Sequence, residues 1–217
     1  PQSVTAIESF REGPFRSERS GFRMTIGNDG WGRAGSPATI LDGLMSNKIY
    51  GPELLARASH EISRMIRLSF STEMLPRPEN RVQVSNKVDD ALKLPRPLIT
   101  FGVDAYARGG LMAGFETSKA IFQLMNATLA EAKPPVQPDG TVNWNTAAHI
   151  MGTCIMGEDP KDSVVDGWGR GHDHENLFIA GSSVFATGAT ANPTLTLAAL
   201  TLRTAKAIHR QLRHGHA

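Results

Sequence analysis

In the stretch AAHIMGTCIMG, residues 147–157, a lone histidine, His149, stands among small and apolar residues just ahead of Gly152, Thr153 and Cys154, the only cysteine of the chain. An imidazole that is neutral near pH 7 suits the removal of a proton from a hydroxyl group. By itself, the same pattern also describes a core histidine held by one backbone hydrogen bond, or a metal ligand. A second candidate, Asn192, opens the run NPTLTLAALTLRTA, residues 192–205. Its carboxamide can hydrogen-bond a substrate oxygen without competing for a proton, but an asparagine before proline is equally a helix cap. The HDH run at 172–174 offers two imidazoles and no third ligand, so no metal site is expected. Cys154, with apolar neighbours, is expected to pack rather than react.

The elements that must position these residues follow from periodicity. GFRMTIG (21–27) reads as a strand, and loops and strands are expected to dominate up to about residue 48. Apolar residues at 54, 55, 58, 62, 65 and 66, with Pro52 in the first turn, predict an amphipathic helix that gives way to strand character in RLSFSTEML. The runs at 76–84 and 95–102 predict two strands of one antiparallel sheet. A long helix is expected over 107–132, its start blurred by Gly109, Gly110 and Gly114, with KPPVQPDG (133–140) ending it at the best candidate domain boundary. The apolar run Leu177–Ala180, closed by Gly181 and Ser182, predicts a buried strand of a doubly wound sheet meeting a ligand at its carboxyl end. Beyond it, Pro193 fits a first helical position, and apolar residues at 195, 198, 199, 202, 205, 208 and 212 predict one helical stripe. The N-terminus of that helix would favour a negative charge.

Composition narrows the function classes. The chain has 217 residues, 40% of them hydrophobic, with 23 Lys and Arg against 21 Asp and Glu. That suits a globular fold of one large or two small domains, and a near-neutral balance without charge blocks argues against nucleic acid as a partner. No apolar run approaches the ~20 residues that cross a bilayer, and no export signal is visible, so a soluble chain is expected. Pro1 opens without a leader into ordinary mid-domain sequence, and no G-x-G-x-x-G fingerprint follows any predicted strand. Both features point to the C-terminal part of a longer chain.

HIMGTCIMG (149–157), SVVD (163–166), NLFIAGSSVF (176–185) and ANPTLTLAALTLRTA (191–205), in this order, resemble the C-terminal signature of the glucose-methanol-choline (GMC) FAD oxidoreductases. PRPENRV (76–82) and PRPLITF (95–101) resemble the substrate-domain strands of that family, and FREGPFR (10–16) resembles its bacterial branch of membrane-linked dehydrogenases acting on glucose, gluconate, fructose or sorbitol. The resemblance implies an α+β substrate domain with an antiparallel sheet over residues 1–140, and a segment, 141–217, completing an α/β Rossmann-like FAD-binding domain. It implies His149 and Asn192 as the catalytic positions, backbone contacts from Pro193 and Thr194 to the flavin pyrimidine edge, and Gly181 and Ser182 at the strand end that passes the ribityl and pyrophosphate. Many relatives carry an Asp there; this chain has none. The implied reaction is oxidation of a sugar or polyol hydroxyl by hydride transfer to FAD, with electrons leaving to an acceptor other than oxygen. The implied partners are the N-terminal part of the same enzyme, a small subunit and a cytochrome c subunit that holds the complex at the membrane on the periplasmic side. An oxygen-using alcohol or choline-type oxidase, or a non-catalytic protein retaining the fold, are the alternatives.

Overall fold

A computed structural model describes residues 4–5, 10–27, 37–128, 134–143 and 148–214. Among the described residues, five strands fall in two antiparallel sheets. β1 (Val4–Thr5), β2 (Phe22–Gly27) and β3 (Arg67–Thr72) form one in that spatial order, and β4 (Arg81–Asp89) and β5 (Pro95–Thr100) form the other. The pairing of β4 with β5, Arg81 opposite Thr100, agrees with the expectation from their sequence. Antiparallel sheets with separate helices make this part of the chain an α+β fold.

Strand β2 alternates. Phe22 and Met24 are buried, while Arg23 and Thr25 alternate with them on the opposite face. The apolar face is covered by α3 (Ala105–Leu124), whose buried residues are Ala107, Gly110, Gly114 and Ser118. A Cβ on Gly114 would lie 2.7 Å from the Phe70 ring, and one on Gly110 would meet Ser20 and Thr72. Two of the glycines expected to blur this helix, Gly110 and Gly114, are therefore part of its contact surface, in line with Ala107 at spacings of three and four residues, so that the backbone can settle on the sheet. The helix starts at an Asp104 cap, whose side chain accepts from the Ala107 N–H at 2.7 Å. It also ends earlier than the expected residue 132: Leu124 is its last residue, and Asn126 adopts φ 50°, the left-handed conformation that closes helices.

Two further departures are informative. Pro37–Ser46, in a region expected to be loop and strand, is a helix, α1, which packs on α2 (Gly51–Arg64) through Ile40, Leu44 and Ala58. Its spacing of Ile40, Leu41 and Leu44 is a helical face hidden by a flanking proline and an internal glycine. The run Leu177–Ala180, expected as a buried parallel strand, instead makes one antiparallel bridge, Phe178 to Arg170, and Leu177 is 46% exposed. Its hydrogen bonds run to the preceding hairpin, residues 165–171, with Ile179 N–H donating to Gly169 O and Gly171 N–H donating to Leu177 O. The partner strands of a doubly wound sheet are not among the described residues.

The last helix, α4 (Thr194–His214), docks on that hairpin. Thr204 is buried against Gly169, the Arg203 guanidinium stacks 4.4 Å over Trp168, and Gln211 Nε2 donates to Glu175 O. The docked face is thus not the expected stripe, of which Leu195, Leu202 and Leu212 are 84%, 65% and 81% exposed. α4 carries apolar residues on two faces, and the hairpin covers one. No described helix is long and apolar enough to cross a membrane.

Candidate functional site

His149 follows Ala148, which is in the left-handed conformation at φ 57°, and precedes two more such residues, Gly152 and Thr153. The chain therefore turns sharply on both sides of the imidazole, which is half-buried. Past this turn, Gly152, Cys154 and Met156 donate their N–H groups to the carbonyls of Ser182, Ser183 and Val184 at 3.0–3.1 Å. This ladder ties the histidine turn to the Gly181–Ser182 turn, and so unites two regions that the sequence separates by some thirty residues. Gly181 adopts φ 111°, and a Cβ there would meet nothing within 4 Å, so the turn is open on that side. Ser182–Val184 forms one 3-10 turn.

From there the chain crosses to the sheet. Met74 and Gly188 exchange both backbone hydrogen bonds, at 2.7 and 3.0 Å. Four residues later Arg23 Nη1 donates to Asn192 Oδ1 at 3.2 Å, a contact 169 residues apart in sequence. Asn192 is consequently not the cap of α4. The first intrahelical bond runs from Leu197 N–H to Pro193 O, which makes Pro193 the capping residue and Thr194 the first helical one. The Asn192 oxygen is taken by Arg23 rather than by a helix N–H. Among the described residues, no hydrogen bond joins His149 to Asn192.

Arg23 is not legible as a site residue. Its only sequence signal is a charge alternating with apolar neighbours in FRM, which ordinarily marks a solvated strand face. In the structure that face also carries Thr25 and, across the register, Ser71 and Ser69 of β3. The Arg23 Nε is buried with no hydrogen-bond partner among the described residues, an arrangement that costs on the order of 1–3 kcal/mol. The FREGPFR loop folds over the apolar side: Phe10 stacks on Phe22 at 4.7 Å, and Arg16 donates to Glu73 at 2.8 Å. The Glu73 bond holds the Arg16 pKa above its ordinary value, against the opposing effect of burial.

The other polar groups of this segment make local contacts. Asp166 Oδ1 accepts from the N–H groups of Trp168 and Arg170, which shapes the hairpin tip. His172 Nε2 lies 2.9 Å from Ser163 Oγ, a local pair within that hairpin. Cys154 is half-buried beside Thr153.

The flavin that the sequence implies can be tested against these residues. The N–H groups of Thr194, Leu195 and Thr196, which open α4, have no backbone acceptor among the described residues. They would satisfy a group with developing negative charge. The open, positive-φ Gly181 permits close approach of a ligand chain. Both features fit the portion of a flavin site that this chain would supply.

Residues 76–201 match the C-terminal domain of the family described as GMC oxidoreductase. The chain is 38% identical over 216 residues to the fructose dehydrogenase large subunit of Gluconobacter japonicus, which takes in 98% of this chain and 37% of that protein. It is 38% identical over 120 residues to the gluconate 2-dehydrogenase flavoprotein of Pantoea cypripedii, covering 54% of this chain and 19% of that protein. With paromamine 6'-oxidase of Streptomyces fradiae it shares 30% identity over 141 residues, 65% of this chain and 25% of the relative. The chain therefore spans at most little more than a third of the length of these relatives, and it belongs to the GMC oxidoreductase family.

Proposed function

We propose that this chain is the C-terminal part of an FAD-dependent dehydrogenase that oxidises a sugar or polyol hydroxyl and passes the electrons to an acceptor other than oxygen. The observation that carries this reading is the identity to a fructose dehydrogenase large subunit, sustained over nearly the whole chain. Residues 1–140 would form part of the substrate domain and 141–217 would complete the FAD-binding domain. The antiparallel sheets lie in the first span, and the second ends in a helix whose open leucine stripe, Leu195, Leu202 and Leu212, suits burial against a further layer.

Bound FAD supplies the hydride acceptor, its N5. The protein's share is to hold the alcohol and move its proton. His149 takes the hydroxyl proton as the carbon–hydrogen bond breaks, and Asn192 hydrogen-bonds the same oxygen. Pro193 and Thr194 offer the backbone of the helix opening to the pyrimidine edge, where reduction adds negative charge. Gly181 and Ser182 line the passage of the ribityl and pyrophosphate. The electrons would pass to a cytochrome c subunit, in a complex that also holds a small subunit, which would place the enzyme in the periplasm, attached to the membrane through its partner.

The test is a screen of the full-length flavoprotein with glucose, gluconate, fructose and sorbitol and a dye acceptor under anaerobic conditions. Turnover with at least one substrate is expected, and none with any of them would refute the reading. The similarity to paromamine 6'-oxidase favours a second reading, an oxidase, for which peroxide would form in air at a rate matching dye reduction. Purified protein without flavin would leave only a non-catalytic role.

A further inference from the structure

We infer that Arg23 is a positioning residue that locks the Asn192 carboxamide in one orientation, so that Asn192 acts on the substrate oxygen as a hydrogen-bond donor and not as an acceptor. This rests on the assignment of Asn192 to the active site under the proposed function.

The two ends of a carboxamide are nearly isosteric, and only the partners decide which way it faces. Arg23 settles the choice, because a guanidinium has five donors and no acceptor. The atom 3.2 Å from Nη1 must be Oδ1, which leaves the Nδ2 amino group as the free end. The backbone that carries the guanidinium is fixed: Arg23 is the second residue of the β2–β3 ladder, opposite Ser71 and flanked by the buried Phe22 and Met24. Asn192 is fixed along the chain by Pro193, whose carbonyl opens α4, and by the Met74–Gly188 backbone pair four residues upstream. The contact is therefore made between two anchored pieces of backbone. A positive charge on Oδ1 also draws electron density from the amide and strengthens Nδ2–H as a donor.

The chemical consequence is specific. As His149 removes the hydroxyl proton, negative charge grows on the substrate oxygen, and a fixed donor stabilises that charge while an acceptor would oppose it. Proton and charge are accounted for by separate groups: the O–H proton moves to the imidazole, the hydride leaves the same carbon, and the amide N–H binds the oxygen throughout.

The experiment measures the rate of flavin reduction at saturating substrate by rapid mixing, in the full-length holoenzyme, with flavin content and melting curves on each sample. Asn192→Ala removes the donor and should slow reduction about 100-fold. Asn192→Asp retains two acceptor oxygens and no donor, so it should be no faster than Asn192→Ala. Arg23→Met should keep flavin and slow reduction by about 10-fold or more, as expected for a lost orienting partner, and Arg23→Lys, which still offers a donor to Oδ1, should recover most of the rate. In the Asn192→Ala background, Arg23→Met should cost nothing further, since the group it orients is gone. An undiminished Arg23→Met effect in that background, or an Asn192→Asp enzyme clearly faster than Asn192→Ala, would overturn the inference alone. Wild-type reduction by Asn192→Ala would overturn it together with the assignment of Asn192 to the active site.

Discussion

Gly169 is one of the contacts by which α4, and with it the Asn192–Pro193 junction, docks on the hairpin. It lies at the tip of the hairpin with φ 80°, and a Cβ there would come within 2.6 Å of Thr204 Oγ1 and 2.8 Å of the Ile179 carbonyl oxygen. Gly169→Ala therefore meets two separate penalties. A left-handed alanine costs about 1–2 kcal/mol, and crowding at a contact that includes immovable backbone costs about 1–3 kcal/mol. The reduced freedom of the unfolded chain returns about 0.4–1 kcal/mol, so the net loss should be about 2–4 kcal/mol. Gly140 supplies the control, since it has φ 84° but a Cβ added there would meet nothing within 4 Å. Gly140→Ala should lose only the strain less the entropy gain, about 1 kcal/mol. Urea unfolding of the two variants and the parent, comparing midpoints at a common slope, reads the difference directly. Equal losses in the two variants would show that the Thr204 and Ile179 contacts do not constrain this turn, and that α4 is not held through the hairpin tip.

Three further outcomes are expected. His149→Ala in the full-length enzyme should keep its flavin yet reduce it about 10²- to 10⁴-fold more slowly; normal reduction in a folded, flavin-loaded sample would mark His149 as structural. Asp104 is held below the usual carboxylate range, since burial, which pushes it up, is outweighed by the Ala107 N–H bond and by Arg77. A depressed folded pKa stabilises the protein above the unfolded value of about 3.9 and ceases to do so as pH falls through the folded one. Asp104→Ala should thus cost about 1–2 kcal/mol at pH 7, from the lost cap with a small share from the half-exposed Arg77 pair. Asp104→Asn should cost less because it still accepts at the cap, and its deficit should shrink as the pH of the melting experiment is lowered from about 4 downward. Finally, the 217-residue chain produced alone should not retain FAD; stoichiometric flavin absorbance on it would contradict the assignment of the rest of the cofactor site to other residues.

The local elements are largely legible in the sequence, because their signals are short-range. Alternation in GFRMTIG, the runs at 76–84 and 95–102, and the proline-led starts of α2 and α4 each reflect local backbone sterics, and each overlaps an element of the fold, although β4 begins only at Arg81 and runs on to Asp89. Family membership is likewise carried by linear motifs, with His149, Gly181 and Asn192 all inside the matched span. Packing partners are not legible. α3 buries glycines rather than its large apolar residues, because what matters there is how closely a neighbouring sheet can approach. α4 docks by Thr204 and leaves its leucine stripe open, because a helix with two apolar faces does not state which one a given neighbour covers. The junction at Asn192 shows the difference most plainly. An asparagine before a proline fits a helix cap by every local rule, and only the arrival of Arg23, 169 residues away, takes its oxygen and leaves its amide N–H free. A side chain's role as donor or acceptor is set by the group that tertiary structure brings against it, and no spacing along the chain records that.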